Sequence, residues 1–163
     1  MQVNLAALIV IHTSLCIVAM AFGMLLIYDF THRNARHWVP AAYFVPSVAA
    51  TLTGFAFPLQ PILPPHILGV LSLIALASAL LIRFYASGGS FAGQRVYRVT
   101  TVISIFFLFF AAVAEAFIKS SQLHGHAPTL TEAPFWTVEV VVLLLFAWSA
   151  YLSAVRWQPP LAP

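Results

Sequence analysis

Three side chains in this sequence can move protons from within long apolar runs: His12, Glu115 and Glu139. A charged group at the centre of a bilayer costs roughly 2.5–3.5 kcal/mol on insertion scales, so an ionisable residue there raises the question of function by default. Thr53 adds a hydroxyl inside the second apolar run, and His66 stands at the start of the third. His124-Gly125-His126 sets two imidazoles two residues apart in the most polar linker, with Glu132 shortly after.

Several chemistries fit these residue types. His12, Glu115 and Glu139, with Phe55, Phe57, Phe117, Phe135 and Trp136 around them, could hydrogen-bond and protonate a quinone-like ligand, since ligand sites are mostly apolar with a few convergent polar groups. Haem is a second option, but bis-histidine ligation needs two imidazoles at matched depth on different helices. His12 and His66 do not meet that condition, and no low-spin bis-histidine spectrum is expected. His124 and His126, completed by His66, Glu132 or His12, could hold zinc or copper. A purely structural account competes with all of these. Glu115 and Lys119 are spaced i,i+4 and can simply pair; Glu139 can be hydrated near the interface; and His12 can bond to a neighbouring helix. An accessory membrane subunit without a ligand of its own is the corresponding function.

The elements that must position these groups are membrane spans. The chain has 163 residues, 62% hydrophobic and 7% charged, whereas soluble domains carry about 25% charged residues. Five runs approach the roughly 20 apolar residues a span needs: Val3 to Tyr28, Trp38 to Phe57, His66 to Tyr85, Tyr97 to Lys119 and Pro134 to Val155. The expected fold is therefore an all-α, five-helix transmembrane bundle forming a single domain. Linkers are marked by Arg33 and Arg36, by Pro58, Pro61, Pro64 and Pro65, by Gly88, Gly89 and Gly93, and by the stretch 120–133. Pro40 and Pro46 predict a kink in the second run. No basic residue precedes Arg33, so the first run is expected to stay as a helix rather than be cleaved.

Orientation follows from charge. Arg33, Arg36, Arg83, Arg95, Arg98 and Arg156 alternate onto one face and Lys119 stands on the other, which predicts the N-terminus outside and the C-terminus in the cytoplasm. His12, Glu115 and Glu139 then all fall in the outer half. His12 is about 14 Å along its helix at ~1.5 Å per residue. These three are expected to face the bundle interior, with His66 and His124 or His126 at its outer mouth. Trp38, Trp136 and Trp157 suit interfacial anchoring. Ala19/Gly23, Ala50/Gly54, Ala75/Ala79 and Ala112/Ala116 have the small-residue spacing of close helix packing. Cys16 has no partner cysteine and is expected to be a buried structural thiol.

Other classes lack support. There is no GxSxG, HExxH or P-loop pattern and no basic stripe with interleaved aromatics. His32 and His37, among arginines, suit lipid-headgroup contact or solvation. The segments Phe117-Ile118-Lys119, Leu123 to Thr129 and Glu132 to Phe135, with Phe55 to Pro58, His66 to Gly69 and His12, resemble an uncharacterised family of small polytopic proteins of the bacterial inner membrane. The resemblance implies a small helical bundle in that membrane and no known activity. Those proteins often carry glutamine where this chain has Glu115 and Glu139, so it implies hydrogen bonding at these positions rather than an obligatory ionised carboxylate.

Overall fold

A computed structural model describes residues 4–34, 36–57, 64–85 and 91–156, without the side chains of 64–66. Among them there are helices and no strands. The elements are α1 (Leu5–His32), α2 (Val39–Gly54), α3 (Pro64–Tyr85), α4 (Phe91–Lys119), α5 (Ser121–His124) and α6 (Ala133–Val155).

Local signals set most of the ends. The Asn4 side chain accepts hydrogen bonds from Ala6 and Ala7 N–H, satisfying amides that a helix start otherwise leaves free. At the other end of α1, Arg33 turns left-handed (φ 60°) and its N–H returns to the Asp29 carbonyl. Pro64 and Pro65 open α3, where a missing N–H costs nothing. The start of α4 lies six residues before the expected Tyr97, because the Arg95 guanidinium sits 4.0 Å above the Phe91 ring and ties down an added turn.

The main departure is α2. It runs for 16 residues and ends in a turn over 55–57, short of the expected Phe57. At ~1.5 Å per residue it is roughly 24 Å long, against ~30 Å of hydrocarbon. The other four long helices, α1, α3, α4 and α6, are long and apolar enough to cross a membrane. The chain is thus a multi-pass helical membrane protein, with four helices of span length and one shorter apolar helix among the described residues.

Packing joins chain neighbours first. α1 lies mainly on α2, and α3 on α4, while α6 packs on α4 and more lightly on α1. The main core clusters Leu26, Phe30, Tyr43, Phe44, Leu76, Tyr97, Val102, Ile105 and Phe146. A smaller cluster of Ala114, Phe117, Ala127 and Phe135 joins α4, the α5 region and α6. Gly23 is the closest approach: a Cβ there would lie 3.0 Å from Ile105 Cγ2 and 3.3 Å from Tyr43 Cε2. The Ala19/Gly23 spacing therefore serves packing.

Candidate functional site

His12 faces α2. Its Nδ1 is 3.1 Å from Thr53 Oγ1, its Nε2 is 3.6 Å from Cys16 Sγ, and its ring meets Phe57 edge-on at 5.3 Å. Thr53 donates its own proton to the Ala49 and Ala50 carbonyls, at 2.8 and 2.9 Å. A hydroxyl with its proton committed can only accept, so Nδ1 is the nitrogen that carries hydrogen toward Thr53. Gly54 makes room for the ring, since a Cβ there would lie 3.4 Å from His12 Cε1. His12 and Thr53, both singled out in the sequence, are thus brought together as a clasp between α1 and α2.

Glu115 departs from the expected inward pocket. It ion-pairs with Lys119 on the surface of α4, and its side chain is 53% exposed. The i,i+4 spacing already allowed this arrangement, and an exposed pair of this kind contributes only about 0.3–0.5 kcal/mol.

Glu139 goes the other way. It is 2% exposed, and neither carboxyl oxygen has a hydrogen-bond partner. No hydrogen bond or ion pair joins it to His12 or Glu115, so the three groups are not linked in one polar network. The physical reason is helix rotation. Glu139 shares its face of α6 with buried Phe135, four residues earlier, and Phe146, seven later. Phe135 packs on Phe110 and Phe117, and Phe146 on Phe106 and Phe109, all from α4. The carboxyl is held in the α4-facing seam, away from the α1–α2 clasp.

An apolar groove of about 260 Å³ lies between α1, α4 and α6, lined by Met24, Ile27, Phe109, Val142, Leu145, Phe146 and Ser149. Val142 follows Glu139 by three residues, roughly 4.5 Å along α6 at ~1.5 Å per residue. A hydrogen-bonding head group beside Glu139 could therefore lead an apolar tail between α1, α4 and α6. No protein family, characterised relative or solved structure matches this chain.

The connection between α5 and α6 is organised by Glu132. Its carboxylate accepts from Thr129 N–H at 3.3 Å, Thr129 hydroxyl at 2.8 Å and Thr131 N–H at 3.0 Å, around a left-handed Leu130 (φ 60°). Desolvation pushes this carboxyl up, but the bonds from Thr129 and Thr131 outweigh it and hold it below the usual carboxylate range. Engaged in this way, Glu132 does not complete a metal site with His124 and His126, which are both exposed. Among the described residues, no group of three or more His, Cys, Asp or Glu is placed to hold a metal ion. The side chain of His66 lies outside the described residues, as do Pro58, Pro61, Gly88, Gly89 and Trp157.

Two buried polar features had no signal that sequence reasoning used. Asp29, 2% exposed near the C-terminal end of α1, accepts from Arg36 Nε at 3.0 and 3.1 Å and pairs with its guanidinium. An acid four residues before Arg33 and seven before Arg36 was its available mark. Tyr43 and Ser104 bond across α2 and α4; nothing in either residue's local sequence points to the other.

Proposed function

We propose that this chain is a five-span protein of the bacterial cytoplasmic membrane, N-terminus outside, that binds a quinone-like redox molecule within an electron-transfer assembly. The observation that carries the reading is Glu139: a buried carboxyl without a hydrogen-bond partner, three residues along α6 from Val142 in the lining of an apolar groove. An unsatisfied buried polar group costs about 1–3 kcal/mol, more if charged. A ligand that hydrogen-bonds to it recovers that cost. A quinone carbonyl accepts a hydrogen bond, its reduction takes up protons that a neighbouring carboxyl can relay, and its isoprenoid tail suits an apolar groove. The electrons would come from a redox partner subunit. α2 serves as the fifth span, its shortfall made up by the turn that follows it, and the resemblance to small bacterial polytopic proteins is in keeping with this setting.

The test is organic extraction and absorption spectroscopy of the protein purified in mild detergent. We expect a co-purifying quinone that is retained in Glu139→Gln, which still hydrogen-bonds, and lost in Glu139→Leu and in Val142→Trp, which fills the groove. A quinone equally retained in Glu139→Leu and Val142→Trp would refute the site. A Soret band in place of a quinone would turn the reading to haem.

The second reading is an accessory subunit without a ligand, favoured by the way His12 is consumed in the α1–α2 clasp. It predicts an extract free of both groups, and a His12→Ala variant that loses thermal stability and nothing else.

A further inference from the structure

The end of the bundle that carries all six arginines has one acid, Asp29, and Arg36 already occupies it. Most of the other guanidiniums are tied to neutral groups. Arg98 Nη1 donates to the Phe30 carbonyl at 3.0 Å, Arg156 Nη1 to the Thr31 carbonyl at 3.1 Å, and Arg33 Nε to the Arg156 carbonyl at 3.0 Å. Such contacts orient the cations without neutralising them. Six arginines against one aspartate leave an excess of positive charge at this end.

One of these cations stands in a cleft. Between the inner ends of α3 and α4, Arg83, Phe84, Gln94 and Tyr97 line a space of about 330 Å³. Arg83 Nη1 donates to the Tyr97 hydroxyl at 3.1 Å, and the guanidinium lies 5.7 Å from the centre of the Tyr97 ring. Tyr97 is itself locked by edge contact with Phe30 at 5.8 Å and is 6% exposed. The guanidinium is thus pre-positioned rather than free on its long stem. Because the Tyr97 oxygen accepts from Arg83, its own proton is left to donate. The Gln94 amide adds two further N–H donors. The groups lining the cleft are rich in donors and carry one fixed positive charge, the pattern that meets a phosphate bearing several acceptor oxygens.

The surroundings place that phosphate in a lipid. Phe84 and Tyr85, directly after Arg83, are 73% and 86% exposed. Tyrosine gathers at the headgroup level of a bilayer, where its amphipathic ring has one apolar and one wet side, and Phe84 beside Tyr85 stands on the apolar side of that level. A cleft bordered by such rings has hydrocarbon on one side and headgroups on the other. A soluble phosphate has no use for the first.

We infer that the α3–α4 cleft is a binding site for the phosphate of an anionic glycerophospholipid, held by Arg83, Gln94 and Tyr97 with its acyl chains along Phe84. The inference is independent of the groove beneath Glu139, which lies in a different seam of the bundle.

Native mass spectrometry of the full chain, titrated with phosphatidylglycerol or phosphatidylcholine of the same acyl chains, tests it. We expect one phosphatidylglycerol to bind markedly tighter than phosphatidylcholine. Arg83→Gln should weaken that binding roughly ten-fold, as loss of a charge-assisted bond does, and Gln94→Ala should weaken it several-fold. Arg156→Gln, at the same end but outside the cleft, should change it less than about two-fold. Equal binding of the two lipids, or an equal loss in Arg156→Gln and Arg83→Gln, would mean diffuse surface charge and overturn the site. Full displacement of the lipid by millimolar inorganic phosphate would assign the cleft to the free ion and overturn the lipid. Should Arg83→Gln fail to fold, Gln94→Ala decides: unchanged binding there overturns the inference.

Discussion

The Tyr43 hydroxyl lies 2.8 Å from Ser104 Oγ in the middle of the bundle, and the hydrogen of that bond belongs to tyrosine. Ser104 commits its own proton to the Thr101 carbonyl at 2.7 Å, so it can only accept from Tyr43. Both side chains are fully buried, at 0% and 1% exposed. The two substitutions should therefore differ. Tyr43→Phe removes a donor and leaves Ser104 bonded, at a cost of about 1 kcal/mol. Ser104→Ala strands a buried phenolic O–H and should cost about 1–3 kcal/mol. In the double variant the loss should fall below the sum, as coupled partners require. Thermal unfolding in detergent measures all three; a strictly additive result would contradict the bond.

Gly23→Ala should destabilise by about 1–3 kcal/mol, the usual penalty for overpacking. The new methyl would meet Ile105 Cγ2 at 3.0 Å and Cγ1 at 3.2 Å, and Tyr43 Cε2 at 3.3 Å. In an Ile105→Ala background, where the two closest clashing atoms are gone and only Tyr43 Cε2 remains, the same substitution should cost less. Equal costs in the two backgrounds would place the restriction elsewhere.

Acid should loosen the α5–α6 loop before it affects the helices. The folded Glu132 carboxyl is held below its ordinary value, so its contribution is present above the unfolded carboxylate range and is lost as pH falls through the folded value. Hydrogen exchange at the Thr129 and Thr131 amides should therefore accelerate at pH values below the usual carboxylate range. Glu132→Gln should abolish that pH dependence. Exchange that stays acid-sensitive in the variant would point to another group.

The proposed orientation is open to thiol labelling once Cys16 is replaced by serine. A cysteine at Ser121, in α5, should react with an impermeant reagent applied to intact cells, and one at Asn34, between α1 and α2, should not. Labelling at both positions would place both loops outside, which alternating spans forbid.

Helix content was legible because apolar runs of span length have few other solutions in a bilayer. The Glu115–Lys119 pair was legible too, since i,i+4 spacing fixes adjacency without any tertiary knowledge. The facing of His12 was not. α1 is apolar on nearly every side, so periodicity carries no phase. Depth can be counted along such a helix, but rotation about its axis is set by neighbours, here Thr53 and Phe57 on and just beyond α2. The same gap hid the separation of Glu139 from His12. It also hid Asp29, whose position at the end of an apolar run resembles a loop residue until Arg36 is seen to fold back over it.

The light attachment of α6 to α1 bears on how the protein is made. Strong contacts join α1 with α2 and α3 with α4, which are consecutive in the chain and can pair as each hairpin leaves the insertion machinery. α6 follows these helices in the chain, and it supplies one wall of the apolar groove as well as the Glu139 carboxyl. Until it docks, the seam between α1 and α4 is open sideways to lipid. The proposed hydrophobic ligand would thus enter laterally during biogenesis and be enclosed as α6 closes, with no need for a permanent channel from either aqueous side.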